Sequence, residues 1–280
     1  MSVEAGGRNI RIMGIVNLTD DSFYAPSRMF SPGRGVDVGR VLETVAAMTG
    51  SGADIIDLGA CSSRPGSRPL GAEAEWERLG KILPYIRREF PGVTLSIDTS
   101  HSRVIQRCFD AAGSVIVNDI SSGRDDPQML PLAGRLGLTF IAMHMRGTPA
   151  TMDSLTDYDD VVEEVIRFFE GFSARAAEAG VKDWIADPGF GFAKTRRQNY
   201  ALLARLEDIR SRTGRPVLAG LSRKRMIYEL LDTGPQECLP AVQALNMAAL
   251  ERGADILRVH DTAEAVQTAR LYKALVENKK

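Results

Sequence analysis

The 280 residues predict an α/β chain, a TIM (β/α)8 barrel forming a single domain over 1–280, on three observations. Short β-branched apolar runs recur eight times, each closed by a polar residue and followed by a helix-like stretch. The runs are nearly continuous in apolar character rather than alternating, as parallel strands buried on both faces are. Eight such units in a chain of this length also match the usual size of the barrel, about 250 residues. A doubly wound open sheet is the rival, because periodicity does not report sheet topology. No low-complexity linker or shift in composition divides the chain.

In order, the runs begin near Arg11 (RIMGIVN), Ala53 (ADIIDLG), Thr94 (TLSIDT), Val115 (VIVNDI), Thr139 (TFIAMH), Asp183 (DWIADP), Pro216 (PVLAGLS) and Ile256 (ILRVH). Successive starts leave room for a crossover helix each time. Amphipathic patterns at Val41–Met48, Glu73–Phe90, Val161–Ala179 and Ala241–Glu251 supply such helices. Glu89-Phe-Pro-Gly92 and Arg212-Thr-Gly-Arg-Pro216 punctuate the joins.

Lys and Arg total 35 against 36 Asp and Glu, a net charge of −1, so no basic field favours nucleic acid or an anionic membrane. The stretch Cys238–Leu250 is free of charge but contains a proline and is too short to span a bilayer. MSVEAGGRNIR lacks the apolar core of a signal peptide. Three well-separated cysteines, odd in number and in no metal-type spacing, read as reduced thiols of a cytoplasmic protein.

In either fold ligands bind beyond the C-terminal ends of the strands, so function is read from the residues closing each run. These are Asn17, Asp57, Asp98, Asn118-Asp119, His144, Asp187, Ser222-Arg223-Lys224 and Arg258-His260. Any single Asp or Asn there is accounted for as a helix cap or Asx-turn. The whole set, converging on one barrel mouth, exceeds what capping requires. Carboxylates and an amide suit the donor edge of a flat nitrogen heterocycle, which pairs with a carboxylate as a guanidinium does. Arg258, His260, Lys224 and Asn17 suit a polyanion, with Mg2+ as a candidate bridge. GxGxxG and Walker A patterns are absent, which disfavours dinucleotide and P-loop chemistry. No Ser-His or Cys-His pairing is apparent in the sequence, so covalent catalysis has no candidate. His101 reads as an exposed first-turn residue, His144 as a structural residue under the mouth, and Cys108 as a packed small hydrophobe.

The motifs together resemble the dihydropteroate synthases. Met13-Gly-Ile-Val-Asn17-Leu-Thr19-Asp-Asp21-Ser-Phe23 is similar to that family's opening signature, and Asp57-Leu-Gly-Ala-Cys-Ser-Ser63-Arg64-Pro65-Gly66 to its second. Further matches run in the family's order through Ser96-Ile-Asp98-Thr99, Asn118-Asp119-Ile120, Met143-His144-Met-Arg146-Gly-Thr-Pro149, Asp187-Pro-Gly-Phe-Gly-Phe192-Ala-Lys194, Gly220-Leu-Ser222-Arg223-Lys224 and Arg258-Val-His260-Asp261. They cover nearly the whole chain.

The resemblance implies a barrel, usually dimeric, that joins 6-hydroxymethyl-7,8-dihydropterin diphosphate to 4-aminobenzoate in folate biosynthesis. It releases pyrophosphate and 7,8-dihydropteroate with Mg2+ as cofactor, and sulfonamides occupy the aminobenzoate site in the family. Residue by residue, it implies that Asp98, Asn118 and Asp187 grip the pterin edge and Lys224 reaches its carbonyl and ring nitrogen. Arg258 stacks on the ring or reaches the phosphates. Asn17 and His260, with Arg64, hold pyrophosphate, and Asn17 also Mg2+. Ser63, Arg64, Pro65, Phe23 and Phe190 surround the aminobenzoate. Ser222 is expected as the N-cap of a helix from Arg223 whose terminus receives the aminobenzoate carboxylate.

The first loop departs from the common N-V-T-P-D-S-F-S-D-G-G: Asp20 replaces proline and Tyr24-Ala25-Pro26 replaces the S-D-G step. Cys61 and Ser63 stand where many members carry glutamate and threonine. Two alternatives share the pterin acceptors: a barrel that moves a methyl group from methyltetrahydrofolate to a corrinoid protein, and a catalytically silent pterin-binding paralogue. The first does not need the S-S-R-P-G loop or Arg258-Val-His260.

Overall fold

A computed structural model describes residues 3–19, 29–31, 35–61 and 70–278. The chain opens on a hairpin, β1 (Val3–Ala5) antiparallel to β2 (Arg8–Asn17), turned by Gly6 and Gly7 at φ 58° and 73°. Only residues without a Cβ adopt two successive positive φ values at no steric cost. A two-stranded ribbon, β3 (Phe30–Ser31) and β4 (Gly35–Val36), precedes α1 (Val38–Gly50), whose N-cap Asp37 accepts from the Arg40 amide. The βα units then follow: β5 (Ile55–Gly59), α2 (Ala72–Glu89), β6 (Thr94–Asp98), α3 (Ser102–Ala112), β7 (Ile116–Asp119), α4 (Met129–Leu136) and β8 (Phe140–Met143). A 3-10 turn at Met152–Ser154 leads to α5 (Val161–Glu178), capped by Asp160, then β9 (Trp184–Asp187) and α6 (Arg196–Ala204). The chain ends in α7 (Leu206–Thr213), β10 (Leu218–Ala219), α8 (Arg225–Tyr228), α9 (Leu239–Glu251), β11 (Ile256–Val259) and α10 (Thr262–Glu277).

All eight expected strands form, and they pair in parallel in the order β10-β11-β2-β5-β6-β7-β8-β9. A bridge between Ala186 and Val217 joins the two edges, so the sheet closes and the open-sheet alternative is set aside. The four expected helices appear with ends shifted by up to three residues.

Strand alternation divides the core in two. Outward residues such as Ile56, Leu58, Leu95, Ile97, Val117, Phe140 and Leu257 pack beneath the helices in one large cluster. Gly14 permits a close approach there, since a Cβ would lie 2.7 Å from the Met48 sulfur and 3.0 Å from Thr262. Inside the barrel, Met13, Ile55, Ile116, Ile141, Ile185, Leu218 and Ile256 form a separate apolar plug, one residue from every barrel strand except β6. Two residues further along each strand, the next inward positions are Ile15, Asp57, Asn118, Met143, Asp187, Gly220 and Arg258. One step of the strand period thus takes the interior from a hydrocarbon plug to a polar floor.

Candidate active site at the barrel mouth

Asp57 is fully buried on that floor and holds two neighbours. Its carboxylate accepts from the Asn118 amide at 3.1 and 3.2 Å, and from the Arg258 Nε at 2.7 Å. The Arg258 Nη2 also donates to Asp98 at 2.7 Å, so one guanidinium spans carboxylates from β5 and β6. Burial opposes the Arg258 charge, but Asp57 and Asp98 outweigh it and hold the group protonated well above its ordinary range. For Asp98, burial dominates over the Arg258 attraction and pushes the carboxyl up to about 7. Asp57 closes a strand and was not assigned a role by sequence reasoning. Its position two residues beyond Ile55 is the signal that could have found it.

Across the floor, Asp187 is buried and its carboxylate accepts from the Gly189 amide at 2.8 Å. Burial raises its pKa, against that amide and the Lys224 charge. The Lys224 ammonium lies 4.4 Å from the centroid of the Phe192 ring, a cation–π seat. Burial draws Lys224 down to about 8, against the pull of Asp187. Gly59 opens the space between two candidates, because a Cβ there would meet Asp98 at 3.5 Å and the Asn17 side-chain oxygen at 3.7 Å. Asp98, Asn118, Asp187, Lys224, Arg258 and Asn17 are therefore brought to one mouth. Asp119, by contrast, turns to the loops after β6 and β7 and accepts from Ser100, Ser121 and Gly123.

Several expectations need revision. Ser222 is not an N-cap: the next helix starts at Arg225, spans four residues and has Lys224 at its cap position. Its hydroxyl lies 2.9 Å from His260 Nδ1 and accepts from the His260 amide at 3.3 Å. The backbone reason is Arg223, whose positive φ of 56° turns the chain away before a helix can begin. A Ser–His contact thus exists where none was read from the sequence. The hydroxyl contacts both the ring and the amide of one residue, which suits a tether more than a nucleophile. Phe190 is 1% exposed and packs in the large apolar cluster. His101 stands at the N-cap of α3, its ring nitrogen 3.1 Å from the Leu70 carbonyl and 3.7 Å from Glu75. Phe23, Ser63, Arg64 and Pro65, with Asp20, Asp21 and Ala25, lie outside the described residues. Cys108 is fully buried in the apolar cluster, as expected of a packed small hydrophobe.

His144 sits buried beneath the mouth, where burial and the Lys194 charge drive its pKa down to about 2. Lys194, matched in a motif but given no role, is buried beside it and has four oxygen or nitrogen neighbours. Glu75, on α2, is likewise buried and accepts from Thr99, next to Asp98. A lone charge on an apolar helix face was the available sequence signal for Glu75.

Residues 13–260 match the family described as pterin binding enzyme. The chain is 38% identical to the dihydropteroate synthase of Escherichia coli (strain K12) over 270 residues, covering 96% of this chain and 92% of that protein. Among solved structures, a Yersinia pestis dihydropteroate synthase with a sulfonamide drug complex superposes with a TM-score of 0.87 at 33% identity over all of both chains. The Xanthomonas albilineans enzyme with 4-aminobenzoic acid gives 0.84 at 34% identity, covering 98% and 97%. The Thermus thermophilus enzyme in complex with 6HMPPP gives 0.79 at 34%, covering 98% and 100%. With its closed barrel and acceptor-lined mouth, this chain belongs to the pterin-binding enzyme family, among the transferases called dihydropteroate synthases.

Proposed function

We propose that the chain condenses 6-hydroxymethyl-7,8-dihydropterin diphosphate with 4-aminobenzoate to give 7,8-dihydropteroate and pyrophosphate, a step of folate biosynthesis. The observation carrying this reading is the joint placement of Asp98, Asn118 and Asp187 on the barrel floor with Lys224 and Arg258 beside them. The donor edge of an aminopyrimidine ring presents an N–H and an NH2, and the two carboxylates and the amide oxygen receive them. Lys224 donates to the ring carbonyl. Arg258, already paired with Asp57 and Asp98, presents a fixed cation toward the methylene carbon and the diphosphate.

Loss of pyrophosphate leaves a cation that the electron-rich dihydropterin delocalises. The protein holds that cation among carboxylates and stabilises the departing anion with Arg258, His260 and Asn17. The arylamine then attacks, and its acidity once bonded removes the need for a strong general base. Phe23, Ser63, Arg64 and Pro65 are assigned to the aminobenzoate end, with Arg64 shared with pyrophosphate, whereas Ser222 is engaged with His260 and Phe190 belongs to the core.

Asn17 fits Mg2+ only as a single amide ligand; among the described residues no three His, Cys, Asp or Glu gather as a metal site. That suits an ion carried mainly by phosphate oxygens and water. Bound there, Mg2+ supplies charge neutralisation for the leaving pyrophosphate. A homodimer in the cytoplasm completes the reading. Leu271 and Leu275, 62% and 53% exposed on α10, support the first, and the odd number of well-separated cysteines supports the second. No helix among the described residues is long and apolar enough to cross a membrane. The decisive experiment mixes pterin diphosphate, 4-aminobenzoate and Mg2+ and measures pyrophosphate. Stoichiometric release with dihydropteroate supports the assignment, and binding without release would mark a silent paralogue.

A further inference from the structure

The turn that follows β9, residues 187–194, carries two groups of the mouth: Asp187 at its start and Phe192, whose ring seats Lys224. Its backbone is improbable on its own. Gly189, Gly191 and Ala193 take positive φ values of 69°, 82° and 50°, and alanine meets a steric cost there that glycine does not. A Cβ on Gly189 would lie 2.1 Å from the His144 carbonyl oxygen, so the turn presses directly onto the end of β8.

At the centre of this turn lies the Lys194 ammonium, 8% exposed. It donates to the carbonyls of Gly189 and Phe192 at 3.0 Å each and of His144 at 3.3 Å, and it lies 3.0 Å from His144 Nδ1. Three N–H groups meet four acceptors, an arrangement more like a cation in a carbonyl cage than a surface lysine. Since His144 is neutral, its Nδ1 accepts and its proton rests on Nε2. On the far side Asn199, also buried, receives the Gly191 amide at 2.7 Å and donates to the Lys194 carbonyl at 3.2 Å.

We propose that Lys194 is a positioning residue for pterin recognition: its ammonium pins the 187–194 turn to His144 and thereby sets Asp187 and the seat of Lys224. It touches neither side chain. It fixes the Gly189 carbonyl, whose own residue donates to the Asp187 carboxylate, and the Phe192 carbonyl, whose own residue carries the aromatic face. Burial draws this lysine down to about 7, against the pull of the Asp187 carboxylate.

The proposal rests on the pterin reading of the mouth, and two measurements keep the two apart. Pterin diphosphate binding is measured by calorimetry on wild-type protein, Lys194→Met and Lys194→Ala, and amide exchange of Gly189, Gly191 and Phe192 is followed without ligand. The expected result is faster exchange at those amides and a dissociation constant raised about tenfold or more, as misplacing a site element does. Ethylammonium should restore binding in Lys194→Ala, by filling the cage, and tetramethylammonium should not. A folded Lys194→Met with wild-type affinity and wild-type exchange would overturn the proposal. Variants that all fail to fold, with or without the amine, would overturn it too, by making Lys194 a determinant of the whole barrel. Wild-type protein that binds no pterin diphosphate would overturn the reading of the mouth, while the exchange rates still decide whether Lys194 holds the turn.

Discussion

Asp57 accepts from Asn118 and Arg258 with no exposed surface of its own, so it orients at once the two groups proposed for the pterin edge and the phosphate edge. In the proposed reading Asp98 and Asp187 are the acceptors themselves. Asp98→Asn or Asp187→Asn should each weaken pterin diphosphate binding by about 1.5–3 kcal/mol, because a donor then faces a ligand donor. Unchanged affinity in both variants by calorimetry would remove the assignment. The ionisation of two groups bounds a pH window. Asp98 is raised to about 7 and must lose its proton to accept, whereas Lys224 is lowered to about 8 and must keep its proton to donate. Affinity for a pterin lacking the diphosphate should therefore climb as pH rises through about 7 and fall again above about 8. Asp98→Asn should flatten the lower limb, and a monotonic fall from about pH 6 in the wild type would contradict the assignment. The contact between Ser222 and His260 ties together the residues that follow the last two strands. His260→Ala should lower kcat and kcat/KM together, by about 10²–10³-fold, as loss of a donor to a developing anion does. A double-mutant cycle with Ser222→Ala should show a coupling of about 0.5–3 kcal/mol. Strict additivity would mean that the hydroxyl does not orient the ring.

At the scale of elements, the strands were the most legible feature. Each apolar run is buried on both faces, so its pattern survives whatever the neighbours do, and β2, β5 to β9 and β11 lie where the runs place them. The strand at Pro216 was legible as a run but is only two residues long, because the chain leaves the sheet at Gly220. The helix expected from Arg223 failed for a backbone reason that composition does not carry, a left-handed residue that is not glycine. The roles of Asp57 and Glu75 stayed hidden because each is defined by partners on other elements, and that of Lys194 because it depends on how its own turn folds against His144. The 187–194 turn offers a direct check of such packing. Gly189→Ala should cost about 1–3 kcal/mol of stability, read as a lowered Tm, since a methyl has no room against the His144 carbonyl. A wild-type Tm would show that β8 and this turn can move apart.

For the whole molecule, the acceptors proposed for pterin stand on strands that hold one another, while Phe23, Ser63, Arg64 and Pro65 fall in sequence between β2 and α1 or β5 and α2. Pterin binding should therefore precede aminobenzoate binding. Tight 4-aminobenzoate binding to protein without pterin diphosphate, pyrophosphate or Mg2+ would contradict that order.

The two-residue step between plug and floor has a consequence for how the chain tolerates change in length. Ile55 and Asp57, Ile116 and Asn118, Ile185 and Asp187, Ile256 and Arg258 are each separated by one outward residue. Deleting a single residue upstream within such a strand would send its polar or charged group into the hydrocarbon beneath the helices. Deleting two would keep the facing but sink a carboxylate or guanidinium to the level of the plug. Substitutions along these strands can be absorbed one side chain at a time, but losses of one or two residues cannot, so length variation in this barrel is confined to the connections between strands and helices.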